Sequence, residues 1–265
     1  MAVPGSRLHR AWRRGFVGVR AVAPAPLKEF YRYFVPRTMR ESFRDIYLLD
    51  AWGDGSGKGS TPENTRPYRE FLQAFMAQHD IRSVVDLGCG DWRFSRLIDW
   101  SGIDYLGIDA VPEVIANNQR MHGDRARFLC RDFSRGDLPP ADLALVKDVL
   151  QHWPHDAIHA LVERLRSYPY VLITNCSYEN GHLNEQIGMG GFRPLDLTRE
   201  PFDLELDEVL RFRTDGVPTR GDNKQVLLMR GTEMRASANA DRPALSRVRA
   251  RARTRRTVAA PERRD

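Results

Sequence analysis

The residues with the clearest chemical meaning are Asp86, Gly88, Cys89 and Gly90, in the run Val84-Val85-Asp86-Leu87-Gly88-Cys89-Gly90-Asp91-Trp92, and Asp109, which closes Tyr105-Leu106-Gly107-Ile108-Asp109. An apolar run, a glycine turn and a second apolar run ending in a carboxylate about 20 residues beyond the turn is the layout of a nucleotide-binding β-α-β unit. The glycines let the backbone approach a ligand closely, and a carboxylate at a strand tip can accept hydrogen bonds from both hydroxyls of a ribose. A dinucleotide fingerprint places a third glycine three residues after the second, and here that position is Arg93. The spacing favours a nucleoside without a diphosphate.

Elements that alternate in type must position these groups. Apolar runs near 82–87, 103–109, 126–130, 142–147 and 169–175 read as strands, and stretches near 92–100, 111–122 and 154–167 read as helices. That alternation specifies a parallel sheet with helices on both faces. Phe202 to Phe212 and Lys224 to Met229 read as a closing hairpin. Open sheets of this kind bind ligands beyond the carboxyl ends of their strands, so the residues following each strand are the candidates.

Several such residues form recognisable motifs. Asp86-Leu87-Gly88-Cys89-Gly90 resembles the first motif of class I S-adenosylmethionine-dependent methyltransferases, and Gly107-Ile108-Asp109 resembles their second. Arg131-Asp132-Phe133 resembles the acid-bearing turn after the third strand, and Ala141 through Trp153 the fourth strand and the start of the next helix. The resemblance covers residues 64 to 230. It implies an α/β fold, a Rossmann-like doubly wound sheet of about seven strands, mostly parallel with an antiparallel C-terminal hairpin and N-terminal helices. It also implies S-adenosyl-L-methionine as methyl donor, with no metal. The cofactor-binding residues would be Asp86, Gly88, Cys89, Gly90, Trp92, Asp109, Ala110, Asp132, Phe133 and Lys147. Asp109 would hold the ribose, Ala110 or Val111 would touch the adenine, and Asp132 would meet its amino group with Phe133 beside the ring. Trp92 stands where many relatives carry a third glycine, so its indole is expected to shield the methionine end.

Methyl transfer is an in-line displacement, and holding two reactants in line can supply ~7 to 11 kcal/mol of its barrier. A base is needed only for a poor nucleophile such as a hydroxyl. His152, just beyond the fourth strand, is the candidate, since an imidazole pKa of about 6.5 suits proton removal. Lys147 and Asp148 at the strand tip come next, and Asn175 follows the fifth strand. Gly190 and Gly191 allow a sharp turn that would bring Phe192 and Arg193 toward an acceptor, although Arg193 could instead pair with Asp196. The expected reaction is O-methylation of a small-molecule or glycan hydroxyl. A nucleic-acid methyltransferase anchored by its arginines is one alternative. It is disfavoured because Lys147-Asp148-Val149-Leu150 is not the Asn/Asp-Pro-Pro-aromatic loop that clamps a flipped base. A cofactor-binding module without turnover is the other alternative.

The charge of the chain is unevenly placed. Residues 1 to 40 carry nine Lys/Arg against one acid and residues 235 to 265 carry ten Arg against three, so within a total of +6 the middle is acidic, at −9. The basic ends could touch an anionic surface, but they say nothing of a basic groove in the domain. Residues 1–24 read as a flexible basic N-terminus, 25–63 as a helical cap with a glycine loop at Gly53 to Ser60, 64–234 as the catalytic domain with a substrate insert at 176–201, and 235–265 as a disordered Arg-rich tail. Its place beside the domain makes the glycine loop a candidate lid. Three cysteines without a Cys-x-x-Cys pair fit a reducing cytoplasm, and no apolar run is long enough to span a membrane.

Overall fold

The computed structural model describes residues 38–53, 55–177, 183–214 and 223–232. The basic N-terminus 1–24, the aromatic run Phe30, Tyr31 and Phe34, and the tail 235–265 lie outside the described residues, as do residues 178–182 of the insert.

Helix α1 (Met39–Leu48) starts at Thr38 with a reciprocal cap. The Glu41 amide donates to the Thr38 hydroxyl at 3.2 Å, and the Thr38 amide donates to the Glu41 carboxylate at 3.2 Å. Two amides that the helix cannot satisfy internally are thereby paired. The stripe Met39, Phe43 and Ile46 then packs onto one face of the sheet, joined there by Ile158, Leu161, Val162 and Leu165 of helix α4 (His155–Leu165). Helix α2 (Arg66–Gln78), with Pro67 in its first turn, lays Tyr68, Leu72, Phe75 and Met76 on the opposite face, where Ile115 of helix α3 (Pro112–His122) also packs.

The sheet has seven strands: β1 (Ser83–Leu87), β2 (Asp104–Asp109), β3 (Arg127–Cys130), β4 (Leu143–Lys147), β5 (Tyr170–Cys176), β6 (Asp207–Arg213) and β7 (Asn223–Arg230). Their order is β3-β2-β1-β4-β5-β7-β6, with β7 antiparallel to both neighbours and the other pairings parallel. This is the doubly wound, Rossmann-like α/β fold with an antiparallel C-terminal pair. Successive side chains point to opposite faces of a strand, so Val85, Ala144, Val171 and Ile173 join the α1 and α4 side while Val84, Leu143, Leu145 and Leu172 join the α2 side. Burying each of the larger ones contributes about 1.5–3 kcal/mol. Between β1 and β4 the order reverses, one course running outward to β3 and the other to β6, and a crevice opens at their carboxyl ends.

One expected helix is missing. Near 92–100 the chain forms only a short 3₁₀ turn, Ser95–Leu97. Gly90 and Trp92 both have left-handed backbone, at φ +56° and +54°, which no right-handed helix can start from. The insert after β5 has no regular structure over its described residues, but Asn184 ties it together. Its amide nitrogen donates to the carbonyls of Asp196 and Glu200 at 2.8 and 2.7 Å, and its oxygen accepts from the Asp196 amide at 2.9 Å.

Candidate active site

The crevice between β1 and β4 holds two adjoining cavities. The first, about 710 Å³ including space open to solvent, is lined by Asp86, Gly88, Cys89, Gly90, Asp91, Asp109, Ala110, Phe133 and Lys147, with Met39, Phe43 and Tyr47 of α1 across from them. The second, about 920 Å³ by the same measure, is lined by Lys58, Gln151, His152, Cys176, Phe192 and Lys224 among others. Trp52, Ser56, Ser60 and Asp148 line both, so the cavities meet there.

The first cavity is shaped by backbone that side chains would block. Gly88 has φ +85°, and a Cβ on it would lie 2.4 Å from Val149 Cγ2; a Cβ on Gly90 would lie 2.5 Å from Ser56 Oγ. At the tip of β2 the Asp109 carboxylate accepts from the Gly90 amide at 3.1 Å and the Val111 amide at 3.0 Å, one on each oxygen. Each oxygen keeps acceptor capacity for a ligand. Burial nevertheless pushes Asp109 up to about 6, because these hydrogen bonds only partly offset the loss of water. Burial likewise pushes Asp86 up to about 6, against the Tyr105 hydroxyl that donates to it at 2.7 Å and the charge of Lys147. Cys89 packs beneath the turn, and a Cβ on Gly107 would meet its sulfur at 3.0 Å.

The glycine loop belongs to the site. Ser56 bonds to the Tyr47 hydroxyl at 2.8 Å and to Asp91 through both their backbones and side chains, which brings the loop against the first motif. At the junction Asp148 sits at φ +59°, a left-handed conformation that Asp tolerates better than most residues. Its two oxygens accept from Lys147 Nζ at 2.6 Å and Lys224 Nζ at 2.5 Å. Burial opposes ionisation of Asp148, but the two ammonium groups outweigh it and hold the carboxyl below the usual range. Lys224 also donates to Cys176 Sγ at 3.0 Å, and Lys147 lies 4.9 Å from the centre of the Phe94 ring.

His152 is in a 3₁₀ turn, Leu150–His152, with its ring 5.0 Å from Trp52 and 5.7 Å from Phe192. Its Nδ1–H donates to the Gly191 carbonyl at 2.7 Å. The Gln151 amide oxygen accepts from the Cys176 backbone at 2.8 Å, which turns the amide nitrogen toward His152 Nε2 at 3.4 Å. Both ring nitrogens are thereby engaged, and burial holds the imidazole down at about 4. A proton from an acceptor could reach Nε2 only by displacing Gln151.

Four expected site residues sit elsewhere. Trp92 is fully buried against Tyr105, His122 and Phe128 in the core on the α2 side, because its left-handed backbone carries the indole away from the crevice. Asp132 lines neither cavity, and its carboxylate accepts from the Ser134 amide and hydroxyl at 3.0 and 2.6 Å. The Asn175 side chain is buried without a hydrogen-bond partner among the described residues and lines neither cavity. Arg193 is also absent from the cavity walls; it is buried under the 150–152 turn and donates from Nη1 to the Leu150 carbonyl at 3.2 Å. Asp196 pairs instead with Arg199 at 3.4 Å, so the anticipated Arg193–Asp196 pair is not formed. The wall residues Tyr47, Trp52, Asp91, Val149 and Lys224 are not among the expected site residues, whereas Ser56 belongs to the glycine loop read as a candidate lid. Only Asp91 carried a signal, as an acid directly after the glycine turn.

Among the described residues no group of three or more His, Cys, Asp or Glu is arranged to hold a metal ion, and no helix is long and apolar enough to cross a membrane. The carboxylates Asp86, Asp91 and Asp109 suit a nucleoside donor that carries positive charge, and the open backbone at Gly88 and Gly90 suits its close approach. S-adenosylmethionine, when bound, supplies a methyl group on a cationic sulfur.

A methyltransferase-domain family profile matches residues 85–168, which span β1 to the end of α4. No curated protein matches the sequence. Among solved structures, the 1,6-didemethyltoxoflavin-N1-methyltransferase of Burkholderia thailandensis, determined with 1,6-didemethyltoxoflavin and S-adenosylhomocysteine, superposes with a TM-score of 0.52 at 22% identity, over 75% of this chain and 92% of that one. The magnesium protoporphyrin IX methyltransferase of Synechocystis PCC 6803 and the N-methyltransferase NodS of Bradyrhizobium japonicum WM9, both with S-adenosylhomocysteine, each give 0.50 at 15% identity, over 74% of this chain and all of theirs. These likenesses carry the fold, and the profile match falls on the strands that carry the glycine turn and Asp109. The profile match places a methyltransferase domain at residues 85–168, and the strand order and motifs around it resemble those of the class I S-adenosylmethionine-dependent methyltransferases.

Proposed function

We propose that this methyltransferase transfers the methyl group to an oxygen of a small-molecule or glycan acceptor held in the second cavity. The observation that carries this reading is the junction at Asp148, where a cavity fit for the donor opens directly into one that sets the rings of Trp52 and Phe192 among polar side chains such as Lys58, Gln151, His152 and Lys224. Aromatic surface combined with converging polar groups is the make-up of small-molecule sites. In the first cavity Asp109 binds the ribose and Ala110, Val149 and Phe133 flank the base, while Lys147 and Asp148 fix the geometry where the reactants meet. His152 holds the 150–152 turn to Gly191 and shapes the acceptor wall. All three cysteines are free, which supports a cytoplasmic setting.

The test is transfer of labelled methyl from S-adenosylmethionine into a fractionated host extract. Label in small molecules or glycans that survives treatments removing N-methyl groups is expected. Label confined to nucleic acid or protein overturns the reading.

A further inference from the structure

Charge differs between the two cavities. Asp86, Asp91 and Asp109 line only the first, together with one ammonium group, Lys147; Lys58 and Lys224 line only the second, whose one lining carboxylate, Asp148, is shared with the first. Lys224 is buried, and of its three N–H donors one goes to Asp148 and one to Cys176. Asp148 divides its two oxygens between Lys224 and Lys147, so neither lysine has a carboxylate to itself at this point. Because Asp148 is at the junction and Lys224 Nζ lies 2.5 Å from it, this ammonium borders the place where donor and acceptor meet. Among the described residues none there is a ready base: both nitrogens of His152 are hydrogen-bonded, Lys224 is held as a cation by Asp148, and Asp148 is engaged on both oxygens by ammonium groups.

We propose that the acceptor oxygen enters the second cavity already ionised, as a carboxylate or the phenolate of an acidic phenol, and is held by the Lys224 ammonium with its organic body between Trp52 and Phe192. This rests on the reading of the second cavity as the acceptor site. An oxyanion lone pair forms the new O–CH₃ bond while the S–CH₃ bond breaks, its electron pair staying on sulfur. The negative oxygen and the positive sulfur both become neutral, and no proton has to be removed. Burial separates the cation from water, so its attraction for an anion is far stronger than at a surface, and a neutral acceptor of the same shape would leave the ammonium donor unanswered.

The test uses benzoate, benzamide and 4-nitrophenol as probes of the full-length protein with S-adenosylhomocysteine bound. Calorimetry is expected to show benzoate binding at least tenfold more tightly than benzamide, and bound 4-nitrophenol should show the phenolate absorbance at a pH about one unit lower than in water. K224M should abolish both preferences while leaving S-adenosylhomocysteine affinity unchanged, and K224R should restore the preference for benzoate. K224M keeps the Lys147–Asp148 pair, so its melting temperature and cofactor affinity report whether it is folded. Equal affinity for benzoate and benzamide, or no binding of either, overturns the inference alone. Absence of S-adenosylhomocysteine binding in the wild-type protein would instead overturn the donor-site assignment on which it rests.

Discussion

Ser56 and Asp91 hold each other in both directions. The Ser56 amide donates to the Asp91 carboxylate at 3.2 Å, and the Asp91 amide donates to the Ser56 hydroxyl at 3.1 Å. Thirty-five residues apart in sequence, they fasten the glycine loop to the turn that follows β1. The same hydroxyl meets Tyr47 of α1 at 2.8 Å, so three separate segments converge on one serine.

Loop closure should therefore depend on that hydroxyl. Ser56→Ala removes two hydrogen bonds worth about 0.5–1.5 kcal/mol each, which makes opening easier by roughly 5- to 150-fold. Hydrogen exchange of residues 55–60 should speed up by that factor and donor dissociation should quicken, with little change in melting temperature. Unchanged exchange would mean the loop is held by its backbone alone.

Asp109 carries the donor assignment. Asp109→Ala loses charge-assisted hydrogen bonds worth about 1.5–3 kcal/mol each, so the affinity for S-adenosylmethionine and its demethylated product should drop by about 100-fold or more. The variant also leaves the Gly90 and Val111 amides without an acceptor, so its melting temperature is measured beside that of Asp109→Asn, which keeps an acceptor for one of the two. Equal calorimetric affinity in Asp109→Ala and wild type would place the ribose elsewhere.

Burial raises both Asp86 and Asp109 to about 6, and the sign of the consequence differs between folding and binding. A carboxyl with a raised pKa favours the folded state most below about pH 4, where the unfolded chain is also protonated, and that contribution is lost as pH rises through about 6. Donor binding needs the ionised carboxylate, so affinity should fall as pH drops below about 6, by up to about tenfold per unit for one group. Calorimetry in buffers of different ionisation enthalpy should detect proton release on binding near pH 6. Proton uptake would contradict it.

The fold was legible because parallel strands buried on both faces read as short apolar runs between turn residues, and the glycine turn marked where the sheet would bind. That Asp86, Gly88, Asp109 and Lys147 line the crevice was legible for the same reason, each lying in or directly after a strand, and Gly90 follows two residues further along the turn. Lys224 was not, because it reaches the site only through the antiparallel register that sets it opposite Cys176. Trp92 misled because its place in the motif says nothing about a left-handed backbone, which decides the face its indole takes. Asp132 and Arg193 misled because a charged residue after a strand or in a glycine turn can spend its donors or acceptors locally, as both do on nearby groups.

Gly88 offers a test of the packing that shapes the donor cavity. Ala at this position meets Val149 at 2.4 Å and must also hold φ +85°, which together should destabilise the protein by about 2–4 kcal/mol. Adding Val149→Ala relieves the clash but not the backbone strain. Urea denaturation of the four proteins in that cycle should give a favourable coupling of about 1 kcal/mol or more. Strict additivity would show that strain alone accounts for the loss.

His152 should behave as a buried neutral imidazole. Burial holds it at about 4, below the ~6.5 expected of the unfolded chain, so the unfolded state gains a proton first as pH falls. Its stabilising contribution is complete above about 6.5 and is lost progressively between there and about 4, amounting to ~3 kcal/mol across the interval. The raised carboxyls Asp86 and Asp109 pull in the opposite direction over part of that range, so wild-type stability alone cannot isolate the histidine. The difference between wild type and His152→Asn can, since Asn retains a donor for Gly191 but does not titrate. Urea denaturation at pH 7 and pH 4.5 should show the variant losing about 2–3 kcal/mol less than wild type on acidification. Parallel losses in the two proteins would mean that His152 takes up its proton in the folded state as readily as in the unfolded chain, and that its bonds to Gly191 and Gln151 do not fix the neutral ring.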